Sequence, residues 1–93
     1  MNVQEHLLTC LAEESGEVIQ AVTKILRFGL DDTKPGTTIT NQAKLYDELC
    51  DLITIVKMLR DTGAIAGTVG ATRAKEEKVL EHIEFARHIG TIQ

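Results

Sequence analysis

Residues 42–61 read QAKLYDELCDLITIVKMLRD. Apolar residues recur there at Leu45, Leu49, Leu52, Val56 and Leu59, in steps of three and four. A helix turns about 100° per residue, so such steps bring side chains onto one face. The pattern predicts an amphipathic helix and fits no half-buried strand, which would alternate every second residue. Two acids interrupt it. Glu48 lies inside the apolar stripe, between Leu45 and Leu52, and Asp51 borders the stripe one turn later.

The same arrangement stands upstream. Residues 3–28 contain no proline and only one glycine, with an apolar stripe through Leu7, Leu11, Val18, Val22 and Ile25. Glu14 falls within that stripe, Glu17 borders it a turn further on, and Glu13 lies on the same edge. Between the two helices, residues 29–40 (GLDDTKPGTTIT) form a connection. Gly29 is placed to end the first helix, Pro35-Gly36 marks a turn, and Thr40 or Asn41 is suited to cap the second. A second connection, residues 62–70, carries Gly63, Gly67 and Gly70. Residues 71–89 predict a third helix with a weaker apolar edge of Val79, Leu80, Ile83 and Ala86. No segment sustains a two-residue period, so the expected fold class is all-α, without a sheet.

A carboxylate inside a packing face is costly. It loses several kcal/mol of hydration or takes up a proton. Acids are seldom fully buried, and a single one on a helix is most simply read as solvated. The same placement on two successive helices calls for a shared explanation. A hard divalent cation supplies it, because magnesium takes oxygen ligands and tolerates carboxylates together with water. Such an ion can also bridge the acids to the oxygens of a phosphate ligand.

Composition narrows the partners. The chain has 93 residues and a net charge of −4, which disfavours a nucleic-acid backbone as the main partner. Only 3% of residues are aromatic, leaving Phe28, Tyr46 and Phe85 as candidates for stacking on a base. No apolar run reaches the roughly 18–20 residues that span a bilayer, so no membrane partner is expected. Cys10 and Cys50 have no paired spacing and no secretory leader pattern accompanies them. They read as reduced, small core residues of a cytoplasmic protein. His6, His82 and His88 form no metal-ligand spacing, and no Glu-x-x-His element of a di-iron bundle occurs. Lys24 follows Glu17 by two turns on nearly the same helical column, which makes it a candidate phosphate ligand.

The acids also carry a resemblance. EESGE at residues 13–17 and ELCD at residues 48–51 resemble the EExxE and ExxD elements of the MazG-like, all-α nucleotide pyrophosphohydrolases. Their surroundings, LAEESGEVIQAVTK and LYDELCDLITIVKML, look like that family's two core helices. The resemblance implies magnesium-dependent hydrolysis (with manganese as an alternative ion) of a nucleoside triphosphate to the monophosphate and pyrophosphate, in nucleotide-pool house-cleaning. It implies Glu14, Glu17, Glu48 and Asp51 as metal ligands. Glu13 becomes a further ligand or, with Glu14, part of the catalytic apparatus that orients or deprotonates the attacking water. Arg73 and Lys78 resemble the basic positions of the family's R-x4-K-F element and become phosphate-binding candidates beside Lys24. Val79 here replaces the aromatic, and Glu81 stands where an arginine is often found.

Residues 1–93 are expected to form one domain of about three helices. Three helices cannot close around four carboxylates, so a four-helix core completed by a second copy is expected, in a homodimer or homotetramer. Two other functions fit the acids. One is the phosphoribosyl-ATP pyrophosphohydrolase of histidine biosynthesis, although the RFG ending of the first helix favours the MazG-like reading. The other is a non-catalytic helical dimerisation or regulatory module whose acids bind a basic partner.

Overall fold

The computed structural model describes residues 1–93 and contains three helices: α1 (Val3–Phe28), α2 (Asn41–Asp61) and α3 (Arg73–His88). The all-α expectation holds; the only β feature is an isolated bridge between Thr33 and Thr40. No helix is long and apolar enough to cross a membrane.

Local chemistry sets each boundary. Asn2 caps α1 by accepting from the Glu5 N–H at 2.8 Å, while the Glu5 carboxylate accepts from the Asn2 N–H at 3.4 Å. This reciprocal box satisfies donors that a helix start would otherwise leave bare. Gly29 ends α1 at φ 95°, a conformation that disfavours other residues, and its N–H reaches the Ile25 carbonyl at 2.8 Å. Thr40 caps α2, accepting from the Ala43 N–H at 3.2 Å, and Thr72 caps α3.

The α1–α2 connection is fastened to the start of α2. The Asn41 and Gln42 N–H groups donate to the Asp32 and Leu30 carbonyls, at 2.9 and 3.0 Å. The Asn41 side chain donates to the Gly29 carbonyl at 2.9 Å, and the Gln42 amide to the Asp31 carboxylate at 3.2 Å. These bonds fold α2 back antiparallel to α1, so that Glu14 lies near Asp51 while Lys24 lies near Asn41.

Packing is confined to that pair. Leu7, Ala21 and Leu59 are the buried apolar residues, flanked by half-buried Leu11, Val18, Ile25, Leu45, Leu52 and Val56. Two members of the expected stripes, Val22 and Leu49, are exposed instead. Ala21 occupies the contact in place of Val22, where a small side chain lets the helices approach. Val22 turns onto a second apolar strip of α1 with Leu8, Ile19 and Leu26, and Leu49 onto a strip of α2 with Tyr46 and Ile53. Cys10 is half-buried and Cys50 exposed, both as free thiols, so Cys50 is no core residue of the single chain.

Helix α3 does not pack on α1 or α2. Of its apolar edge, Ile83 and Ala86 are half-buried while Val79 and Leu80 are exposed. The radius of gyration is 16.8 Å, against about 12 Å for a compact chain of this length. The chain is a plate 18 Å thick, open on its faces.

The Thr40 cap should contribute to stability. Thr40→Ala removes the acceptor for the Ala43 N–H and is expected to cost about 1 kcal/mol, read as a lower midpoint in urea unfolding. An unchanged midpoint would show that the loop bonds hold the start of α2 without the cap.

Candidate metal centre

The α1–α2 seam is apolar at both ends and acidic in the middle. Glu14 comes from α1, and Glu48 and Asp51 from successive turns of α2. Each offers one carboxylate oxygen, and the three oxygens lie within 4.8 Å of one another. Glu48 is 5% exposed, as buried as Leu7 and Ala21 of the core, whereas Asp51 faces solvent.

Glu14 is the least compensated of the three. Its Oε2 is sealed from solvent and has no hydrogen-bond partner. Desolvation raises its pKa above the usual carboxylate value, and the charges of Asp51, Glu48 and Glu17 raise it further. Glu48 is better served, because the Lys44 ammonium, one turn earlier on α2, meets it at 2.8 Å. That bond and the Glu48 charge raise the pKa of Lys44, and Glu17 and Asp47 add to the effect. Glu17 therefore faces this group from α1. Glu13 is exposed on α1 and lies outside the three-oxygen cluster.

The donor set suits a hard divalent cation. All three groups offer carboxylate oxygens, the donor type a magnesium-like ion takes, and these lie within 4.8 Å of one another, near enough that one ion would be shared among Glu14, Glu48 and Asp51. An orphaned, buried carboxylate oxygen beside two further carboxylates is the arrangement that such an ion relieves.

The basic candidates are divided. Lys24 is exposed on the last turns of α1 and lines a pocket next to Lys44. Arg73 and Lys78 lie on α3, which does not pack on the acid-bearing pair, so the single chain does not bring them to the cluster. Arg73 is engaged by Glu77 at 3.1 Å. The residue that sequence reasoning missed is Lys44. Its signal was the spacing of four from Glu48, which allows a lysine to reach a buried acid along one helix.

Comparison with known proteins agrees with this geometry. No curated protein and no solved structure matches the chain. A family of nucleotide-cleaving domains does match, over residues 3–79, covering both acid-bearing helices, their connection and the start of α3. That span is most of the sequence and contains the whole carboxylate cluster: the chain belongs to the MazG nucleotide pyrophosphohydrolase domain family.

Proposed function

We propose that the chain is a magnesium-dependent nucleoside triphosphate pyrophosphohydrolase, producing a nucleoside monophosphate and pyrophosphate, with manganese able to replace magnesium. The observation that carries this reading is the Glu14 carboxylate, its Oε2 sealed and unpartnered beside Glu48 and Asp51. Family membership supports nucleotide pyrophosphate chemistry at these acids. Glu14, Glu48 and Asp51 would hold the ion, with Glu17 completing the set from α1. When bound, the ion offsets charge on the phosphoryl oxygens and makes a coordinated water more acidic.

The chain's own residues do the rest. Water oxygen bonds to one phosphorus of the α–β anhydride, the bond from that phosphorus to the bridging oxygen breaks, and the monophosphate and pyrophosphate separate, the bridging oxygen leaving with the half that was not attacked. Glu13, exposed beside Glu14, orients that water and accepts its proton. Lys24 steadies the phosphates. Arg73 and Lys78 reach a phosphate only from a neighbouring copy, because α3 stands apart within its own chain. A second copy also accounts for the bare apolar strips. Ile19 is 67% and Leu26 81% exposed on α1, and Ile53 56% on α2. Contiguous apolar surface of this kind marks an association site.

The first test is a panel of canonical and modified nucleoside triphosphates with Mg²⁺, following pyrophosphate release. Glu14→Gln and Glu48→Gln should each lower turnover at least about a hundredfold, equivalent to about 2.7 kcal/mol of lost transition-state stabilisation. Wild-type turnover of either variant at saturating Mg²⁺ would remove that residue from the site.

Stability without metal gives an independent readout. Because the folded-state pKa of Glu14 is raised, the folded chain binds more protons than the unfolded one between the two values. The Glu14 contribution to stability is therefore most favourable below the unfolded value of 4.5 and is lost as pH rises through the folded pKa. Glu14→Gln should accordingly melt higher than wild type at neutral pH in EDTA, and the gap should close in acid, where wild-type Glu14 is already neutral. A gap that is absent at neutral pH, or constant with pH, would show that Glu14 is not strained in the fold. Glu48→Gln should gain less, since it also removes the partner of Lys44.

Sedimentation velocity at micromolar concentration should report a homodimer or homotetramer. A stable, folded monomer would contradict the role given to the apolar strips and to Arg73 and Lys78.

A further inference from the structure

At the loop end of the α1–α2 pair lies a pocket of about 550 Å³. Three lysines line it, Lys24 from α1, Lys34 from the connection and Lys44 from α2, against a single acid, Asp32. Neither Lys24 nor Lys34 makes an ion pair, and the partner of Lys44 is Glu48 in the carboxylate cluster. Arg27 lies over the ring of Phe28, another lining residue, at 4.9 Å and adds positive charge nearby. Lys44 thus belongs to two places at once. Its ammonium neutralises a buried ligand of the metal centre, and its stem forms the pocket wall.

The start of α2 also borders the pocket through Thr40 and Asn41. Its amides are already spent, because those of Asn41, Gln42 and Ala43 donate to Asp32, Leu30 and Thr40. The charged donors that line the pocket are therefore the lysines, Lys24 and Lys34 without an ion pair and Lys44 held by Glu48. Three ammonium groups around one cavity favour a multiply charged anion. A neutral base would strip water from them without bringing an opposite charge to offset the loss. Lys44 lies one turn from Glu48, a rise of about 6 Å along the helix. An anion in the pocket can therefore be continuous with phosphate held at the cluster.

We propose that this pocket seats the terminal phosphates of a polyphosphate substrate, and so the pyrophosphate product, on Lys24, Lys34 and Lys44, and that Lys44 passes from Glu48 to those phosphates when a divalent cation takes its place at the carboxylates. This rests on the hydrolase reading above and assigns which end of the substrate lies at the connection. Lys44 is a stand-in cation: it holds Glu48 neutralised until the ion arrives. It then becomes available to a phosphate that the ion brings with it.

The experiment is calorimetric titration of the full chain with inorganic pyrophosphate in excess Mg²⁺, for wild type, Lys34→Ala, Lys44→Ala and Lys57→Ala. Lys57 is an exposed α2 lysine outside the pocket, so its variant carries the same charge change. Lys34→Ala should weaken pyrophosphate binding about tenfold, the scale of one charge-assisted contact, and Lys57→Ala should leave it unchanged. Mn²⁺ binding without phosphate, followed by electron paramagnetic resonance, tests the handover. Lys44→Ala should bind Mn²⁺ more tightly than wild type, having lost its internal competitor, while binding pyrophosphate more weakly. Opposite signs from one substitution are not expected of a merely structural lysine.

Equal pyrophosphate affinity in wild type and Lys34→Ala, or equal losses in Lys34→Ala and Lys57→Ala, would overturn the pocket assignment. Weaker Mn²⁺ binding by Lys44→Ala would overturn the handover. Either failure alongside normal Mg²⁺-dependent hydrolysis would leave the hydrolase reading standing. Lysine-dependent pyrophosphate binding by a chain that hydrolyses no nucleotide would support the pocket and reject that reading.

Discussion

One carboxylate oxygen, Glu14 Oε2, is shut between two helices with no donor of the chain to meet it. The α1–α2 pair is organised around that oxygen. Leu7 and Leu59 close one end of the seam, and the fastened connection closes the other. Between them the helices hold Glu14, Glu48 and Asp51 within 4.8 Å. A chain selected for stability alone would place leucines there and gain burial energy. This one keeps like charges in contact, so the unliganded fold gives up stability where a cation would restore it. The Lys44–Glu48 bridge offsets part of that repulsion and leaves Glu14 uncompensated.

The open architecture bears on the same site. Two helices can flank the acids, but they do not enclose them: Asp51 and Glu17 face solvent, and α3 extends away from the pair. The bare strips through Leu8, Ile19, Val22 and Leu26, and through Tyr46, Leu49 and Ile53, lie on the same two helices that carry the acids. Whatever covers these strips is held in fixed register with the carboxylates. Under the proposed assembly, the surface joining two copies would also decide which groups of a neighbour come near the site.

Much of this was legible in the sequence because it follows from helical period and end chemistry. The three helices, Gly29 as a terminator, Thr40 as a cap and the alignment of Glu14 with Glu48 and Asp51 all rest on local rules. The errors came where tertiary contact decides. Val22 and Leu49 fit the stripes by spacing, yet the helices meet on Ala21, a contact that favours a small side chain over a large one. Cys50 shares the helix of the core leucines but faces outward. The placement of α3 was not legible, because its apolar edge is weak and names no partner surface. For the same reason the relation of Arg73 and Lys78 to the acids could not be read from spacing. Lys44 passed unremarked: on a helix surface a lysine is ordinarily solvated, and its role depends on the burial of Glu48. The lysine pocket is assembled from two helices and a loop, so no contiguous motif announces it.

The central claim is that Glu14, Glu48 and Asp51 form a divalent-cation site across the α1–α2 seam. The most direct measurement is a crystal structure of the chain grown with Mn²⁺, with anomalous diffraction locating the ion. The account predicts an anomalous peak bonded to carboxylate oxygens of all three residues, with Glu14 Oε2 turned to the ion and Lys44 withdrawn from Glu48. A chain that binds no manganese there, with Glu14 Oε2 instead hydrogen-bonded to an ordered water and Lys44 still on Glu48, would contradict it.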